Sequence, residues 1–271
     1  MNDCSAPIGL RRAALDCLLL RDAARKAEAT RRLAEQAHFP ADLSTPVALL
    51  ADELTKLPGR PSKPALVPPQ AVPQRSPHTP EGRAALLHSI AHIEFNAINL
   101  ALDAIWRFSN MPQGFYTDWL RVAAEEALHF SLLSTHLQSL GFNYGDFTAH
   151  NGLWEMADKT AHDVLARMAL VPRLLEARGL DASPIVRRKF EAAGDTRACE
   201  ILDIILRDEV GHVAIGNRWF RYCCEQAGTE PVSTFERLLA EYGAPAPKPP
   251  FNVEARRLAG FDEAEIRWLQ T

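Results

Sequence analysis

The chain has 271 residues, 47% of them hydrophobic and 24% charged, with a formal net charge of −4. That balance is ordinary for a globular protein with one large core, and it argues against a dominant nucleic-acid or membrane-surface role. No run reaches the roughly 18 apolar residues of a membrane span. The apolar stretch near the N-terminus is interrupted by Asp16 and has no small-residue cleavage site after it, so a cytoplasmic protein is expected. Five cysteines with no CxxC spacing point to reduced thiols rather than a disulfide framework or a zinc site.

Residues 8 to 37 are rich in Ala, Leu and Arg and read as one or two helices. Residues 57 to 80 hold eight prolines and read as an extended strap, because proline lacks the amide donor a helix interior needs. Thr79, Pro80 and Glu81 then suit the N-cap, first position and first turn of a helix. Four long helices are predicted, at 80–108, 116–140, 154–178 and 195–226. "SNMPQG" separates the first two, "GFNYGDFTAHNG" forms a longer connection to the third, and "RGLDASP" is read as stopping the third. A proline-rich tail, "GAPAPKPPF", leads to a short helical finish at "DEAEIRWLQ". The expected organisation is a helical arm at 1–56, the strap at 57–80, a bundle at 81–228 and a C-terminal extension at 229–271 packing on the bundle.

Each long helix carries an apolar stripe with steps of three and four residues, and each stripe is broken by a carboxylate. The breaks are Glu94 in the first helix, Glu126 with His129 in the second, Glu176 in the third, and Glu209 with His212 in the fourth. An unpartnered carboxylate or imidazole in a core costs several kcal/mol, so four such breaks call for a common cause. Together they match the ligand set of a dinuclear metal site in a bundle core: a lone Glu from each of two helices and Glu-x-x-His from each of the other two. Residues i and i+3 share a helical face, which lets one metal pair be reached by both side chains of the motif. Glu94 precedes Glu126 by 32 residues and Glu176 precedes Glu209 by 33, as two similar hairpins require. Thirteen extended residues between the second and third helices reach roughly 40 Å, enough for the long crossover of a ferritin-like bundle. A third Glu-x-x-His, Glu35 and His38, sits at a helix end before Pro40 and has no hairpin partner. It is set aside.

"HSIAHIEFNAINLALDAIWRF", "AAEEALHF", "HDVLARMALVPRLLEARGLD" and "RDEVGHVAIG" resemble a bacterial family of uncharacterised proteins with a ferritin-like domain. The likeness extends to the strap and to "PPFN" and "ARRLAGF" in the tail. The bundle is similar to that of the di-iron tRNA hydroxylases, whose "EAR" around a third-helix ligand matches Glu176-Ala177-Arg178. The resemblance implies the all-α ferritin-like fold and the metal. Di-iron bundles often place an acid before Glu-x-x-His, here Glu125 and Asp208. Each is expected to orient a ligand histidine by accepting its other N–H.

Carboxylate and imidazole ligands without thiolates suit two iron ions, with manganese as the alternative. Ala97, Ala101, Ala169 and Gly216 fall at one end of the bundle in this reading, and with Trp119 and Trp219 they would bound a substrate cavity. Three functions compete. They are an O₂-dependent oxidase or hydroxylase of a small organic molecule, with an unidentified electron donor; iron handling, ferroxidase or peroxide scavenging; and a metal-stabilised binding module without turnover. RNA as substrate rests on the analogy alone, and the acidic balance lends it no help. His88, His92, His136 and His162 are read as hydrogen-bonded packing residues.

Overall fold

The structure, a computed structural model, describes residues 9–36, 43–44 and 47–270. Cys4, His38 and Pro40 lie outside the described residues. Among the described residues the secondary structure is entirely helical, with one isolated bridge and no strand. Among the described residues no helix is long and apolar enough to cross a membrane. The chain packs as two compact units, residues 1–72 with 88–150, and residues 73–87 with 151–271.

The first unit contains α1 (Leu10–Leu19), α2 (Ala23–Gln36), α3 (Ala51–Leu54), most of α4 (Pro80–Arg107) and α5 (Gln113–Ser139). The predicted cap of α4 is made: the Gly82 amide donates to Thr79 Oγ1 at 3.0 Å. α4 and α5 are antiparallel neighbours, because Phe108 meets Tyr116 at one end while Phe95 meets Phe130 in the middle. Tyr116 closes the turn, donating its hydroxyl to the Phe108 carbonyl at 2.8 Å and accepting the Met111 amide at 3.3 Å. α1 is tied to the end of α4 by Arg11, which donates to the Ile105 and Trp106 carbonyls at 3.4 and 2.5 Å.

Lys26, fully buried on α2, is held by three acceptors: the carbonyls of Leu18 and Gly59 at 2.9 and 2.7 Å, and Asn99 Oδ1. Three acceptors match the three donors of an ammonium, which is how a lysine is tolerated in a core. The strap carries only a short 3₁₀ turn at Pro69–Ala71. It docks through a two-bond parallel bridge in which Val67 donates to Ala149 at 2.8 Å and Ala149 to Ala65 at 3.1 Å.

The second unit contains α6 (Gly152–Lys159), α7 (Val164–Leu170), a π-helical turn (Val171–Glu176), α8 (Ala177–Ala192), α9 (Thr196–Ala227), α10 (Pro231–Glu241), α11 (Val253–Leu258) and α12 (Glu263–Leu269). The expected third helix at 154–178 is corrected at both ends. Its start is broken because the Asp163 side chain accepts from the Leu165 and Ala166 amides at 2.8 and 3.1 Å, capping a new helix. At the other end "RGLDASP" does not stop it; the rod runs on to Ala192 with Pro184 inside. Asp181, read as a breaker, is instead buried on an ion pair with Arg256 at 2.7 Å and accepts the Asn252 amide at 2.8 Å. Pro172 lacks the amide for its own helical bond, and the chain takes up the lost register as the π turn.

Arg187 on α8 bonds Asp203 on α9, and Arg173 in the π turn bonds Asn217 further along, so α9 runs antiparallel to this rod. A Cβ on Gly216 would lie 2.4 Å from Pro172 Cβ, so glycine lets α9 approach the π turn. Arg173 is buried among the rings of Phe220, Phe235 and Phe261, at 4.9, 4.9 and 4.8 Å. It pairs with Glu265 on α12 at 2.8 Å, and Glu265 also takes Arg221 at 2.6 Å.

Candidate metal centre

Glu94 lies on α4, and Glu126 and His129 lie one turn apart on α5. The antiparallel register that sets Phe95 against Phe130 puts Glu94 beside His129. His129 Nδ1 is 3.1 Å from Glu94 Oε2 and 3.4 Å from Glu126 Oε2. All three side chains are buried, at 4%, 1% and 0% exposure, and each offers a ligand atom within 4.8 Å of the others. A buried Glu/His cluster at metal-ligand spacing is therefore a feature of the structure.

Burial, and then the neighbouring Glu126 charge, pushes the Glu94 carboxyl well above its usual range. Burial alone would lower His129, but hydrogen bonds to Glu126 and Glu94 outweigh it and push the imidazole up to about 11. Both shifts point the same way: two buried carboxylates and an imidazole packed together favour holding a proton between them.

In the second unit Glu209 and His212 are buried on one face of α9, with His212 Nδ1 3.6 Å from Glu209 Oε1. Glu176, half-buried, is the last residue of the π turn. A Cβ on Gly179, three residues further on, would lie 4.0 Å from Glu209 Oε2, so α8 passes close over that carboxylate. The pairing of the two Glu-x-x-His motifs with particular faces is thus visible within each unit.

The residues expected around the ligands are placed as follows. Glu125 accepts from Arg121 at 3.0 Å, and Asp208 from Arg207 at 2.8 and 3.1 Å. Ala97, Ala101 and Trp119 are buried in the first unit, and Ala169, Gly216 and Trp219 in the second. The Pro172 ring lies over Gly216. Trp119 Nε1 is a buried donor with no hydrogen-bond partner among the described residues. His88 accepts the Gly145 amide at 2.9 Å. His92 bonds the Tyr144 hydroxyl at 2.8 Å and the His150 carbonyl at 3.0 Å, while His136 contacts Ser139 Oγ and His162 the Tyr242 hydroxyl. Arg173 and its aromatic box, which fix the turn bearing Glu176, were not found from sequence: their partners are 44 and 92 residues away and carry no local spacing signal.

A family described as a protein of unknown function, DUF455, matches residues 19–267. The chain belongs to that family. A relative in Haemophilus influenzae, described as an uncharacterized protein, is 54% identical over 216 residues, spanning 77% of this chain and 75% of its own. No solved structure matches. Membership of this DUF455 family establishes the uncharacterised family that the sequence resembles. The chemistry has to be read from the residues themselves.

Proposed function

We propose that the chain is a ferritin-like di-iron protein that uses O₂ to oxidise or hydroxylate a small organic substrate, with manganese as the alternative metal. Its ligands in this reading are Glu94, Glu126 and His129 from the first unit and Glu176, Glu209 and His212 from the second. The observation that carries the reading is the buried Glu94–Glu126–His129 cluster. Two carboxylates in a dry pocket repel one another, and a polyvalent cation removes that repulsion more fully than a proton. The donor set, oxygen and imidazole without thiolate, fits iron or manganese. The second unit offers the same chemistry in the same proportion, two carboxylates and one imidazole. Each set is half of what a dinuclear carboxylate site takes.

When bound, such a metal pair would supply electrons to O₂ and Lewis acidity. The chain's own residues do the rest. His129 would hold the cation only once its Nδ1 proton is lost, so loading would release acid. Ala97 and Ala101, buried one and two turns beyond Glu94, are the small residues beside which a substrate would sit in this reading. Trp119 Nε1 would donate to an oxygen of that substrate. Glu125 and Asp208 would fix the tautomers of the ligand histidines. The bundle at 81–228, with its arm, strap and extension, belongs to this proposal as the scaffold.

Anaerobic Fe(II) titration followed by O₂ tests the reading. Two irons per chain, with O₂ consumed in proportion, is the expected result, and His129→Ala should lower the stoichiometry. Accumulation of many irons per chain would replace the proposal with storage. Stoichiometric binding with no reaction toward O₂ would leave a metal-stabilised binding module.

A further inference from the structure

A cavity of about 230 Å³ lies within the first unit, between the proline strap and α4. It is smaller than the roughly 300–1,000 Å³ that drug-sized ligands take, so its occupant is a small molecule. Pro61, Pro64, Ala65 and Leu66 line it from the strap, and Phe95 and Asn96 from α4. The lining is mainly apolar.

The polar groups of the inner wall are spent on one another, with one exception. The His150 carbonyl can only accept, so His92 Nε2 carries the hydrogen of that 3.0 Å bond, and Nδ1 takes the Tyr144 hydroxyl at 2.8 Å. Arg60 has a partner within the chain. Asn96 Nδ2 donates to the His92 carbonyl at 2.8 Å, which distinguishes nitrogen from oxygen in that amide. Asn96 Oδ1 is the exception. The side chain is 3% exposed and lines the cavity, yet its oxygen accepts from no donor among the described residues. A buried carbonyl oxygen without a donor is costly, and the cavity beside it is where a donor can enter.

We propose that this cavity binds a small uncharged molecule with an apolar body and one O–H or N–H donor, of the phenol kind. Its hydrogen goes to Asn96 Oδ1, and its carbon body packs against Phe95, Pro64 and Leu66. An apolar lining with one fixed polar group is what orients a small ligand. A charged ligand would give up its hydration here for a single neutral acceptor, so the occupant is uncharged. The site shares no residue with the proposed metal ligands, and it stands whether or not the metal reading holds.

Titration calorimetry and saturation-transfer NMR on the full chain test it, with phenol and fluorobenzene as probes. The two are nearly equal in size and shape, and only phenol donates. Phenol is expected to bind with a Kd of about a millimolar or tighter, the range open to so small a ligand. Fluorobenzene should bind roughly five- to tenfold more weakly, the ratio that one net hydrogen bond supplies. Asn96→Leu keeps the approximate shape and removes the acceptor, so it should bring phenol down to the level of fluorobenzene and leave fluorobenzene within about twofold. Leu66→Trp, at an exposed position on the rim, should weaken both probes. Equal binding of the two probes to the natural chain, a preference for phenol that survives Asn96→Leu, or phenol binding unchanged by Leu66→Trp overturns the proposal. So does the absence of phenol binding up to about ten millimolar. Should Asn96→Leu lower the melting temperature, the Leu66→Trp result and the probe comparison on the natural chain still decide.

Discussion

Glu94→Gln separates stability from metal affinity, and it should move them in opposite directions. Glu94 is buried against Glu126 and His129, and its carboxyl is pushed well above the ordinary range by burial and by the Glu126 charge. A carboxyl raised in the folded state stabilises the fold fully below its unfolded value, and that contribution is lost as pH rises through the folded value. His129, pushed up to about 11, acts in the same sense, losing its contribution between about 6.5 and 11. Metal-free protein should therefore weaken steadily from pH 5 to pH 9 through this cluster. Glutamine keeps the shape and the acceptor but removes the buried charge, whose desolvation without a full partner costs about 1–3 kcal/mol. At pH 9, metal-free Glu94→Gln should be more stable than the natural chain by about that amount, a rise in Tm of roughly 2–4 °C per kcal/mol. At pH 4 the difference should close, because both side chains are then neutral. Metal reverses the order: at 100 times Kd it should stabilise the natural chain by about 2.7 kcal/mol and the variant by far less. Denaturant titrations of chelator-treated and metal-loaded protein at pH 4, 7 and 9 measure each quantity. A metal-free variant less stable than the natural chain at pH 9, and equally stabilised by metal, would refute a cluster built to hold a cation.

Three further outcomes follow from particular contacts. His88 and His92 are lowered to about 4, chiefly by burial, so the fold should lose stability as pH falls from about 6.5 to 4, by at most about 3 kcal/mol each. His88→Gln, which keeps an acceptor for the Gly145 amide, should shrink that acid loss in denaturant titrations. Gly216→Ala places a methyl 2.4 Å from Pro172 and should cost about 1–3 kcal/mol. It should also weaken metal binding through the turn bearing Glu176, whereas Gly228→Ala, strained at φ 66 beyond the end of α9, should cost stability and leave calorimetric metal affinity unchanged. Arg173→Met leaves the buried Glu265 with Arg221 as its remaining cation beside the Asp262 amide and strips Asn217 of a donor, so a loss of about 3 kcal/mol is expected in chemical denaturation.

The parts legible in the sequence are those written in local spacing. The helix start at Pro80, the long rods α4, α5 and α9, and the proline strap follow from a cap, periodicity and the missing amides of proline. The Glu94, Glu126 and His129 cluster was legible for the same reason, since each residue interrupts a periodic stripe. The third rod was not legible. Asp163 and Asp181 look alike as helix breakers, yet one caps a helix with its own backbone and the other is occupied by Arg256, 75 residues away. Only the long-range partner distinguishes them. The meeting of the strap with α4 was invisible for a related reason: Pro64, His92 and Tyr144 have no common period, and they line one pocket because the strap is pinned beside Ala149.

The two sets of proposed ligands are held by different devices, and the difference has a consequence. Glu94, Glu126 and His129 project from two uninterrupted helices, locked by Phe95 on Phe130 and by Tyr144 lying 5.6 and 5.1 Å from those rings. Regular helices with interlocked aromatics give side chains a single geometry. Glu176 instead ends a π turn, whose backbone lacks the regular bonding of an α-helix and is fixed by side chains around it. Arg173 with its three rings, Glu265 from α12, and the Pro172–Gly216 contact supply that fixation. The C-terminal segment that looks like an appendage in the sequence is thus part of what aims a proposed ligand. Shortening the chain before α12 should loosen Glu176 while leaving the Glu94–Glu126–His129 cluster formed. A truncated chain that still bound one metal ion per molecule but not two would be the signature of that division, and equal loss of both would show that the cluster itself depends on the extension.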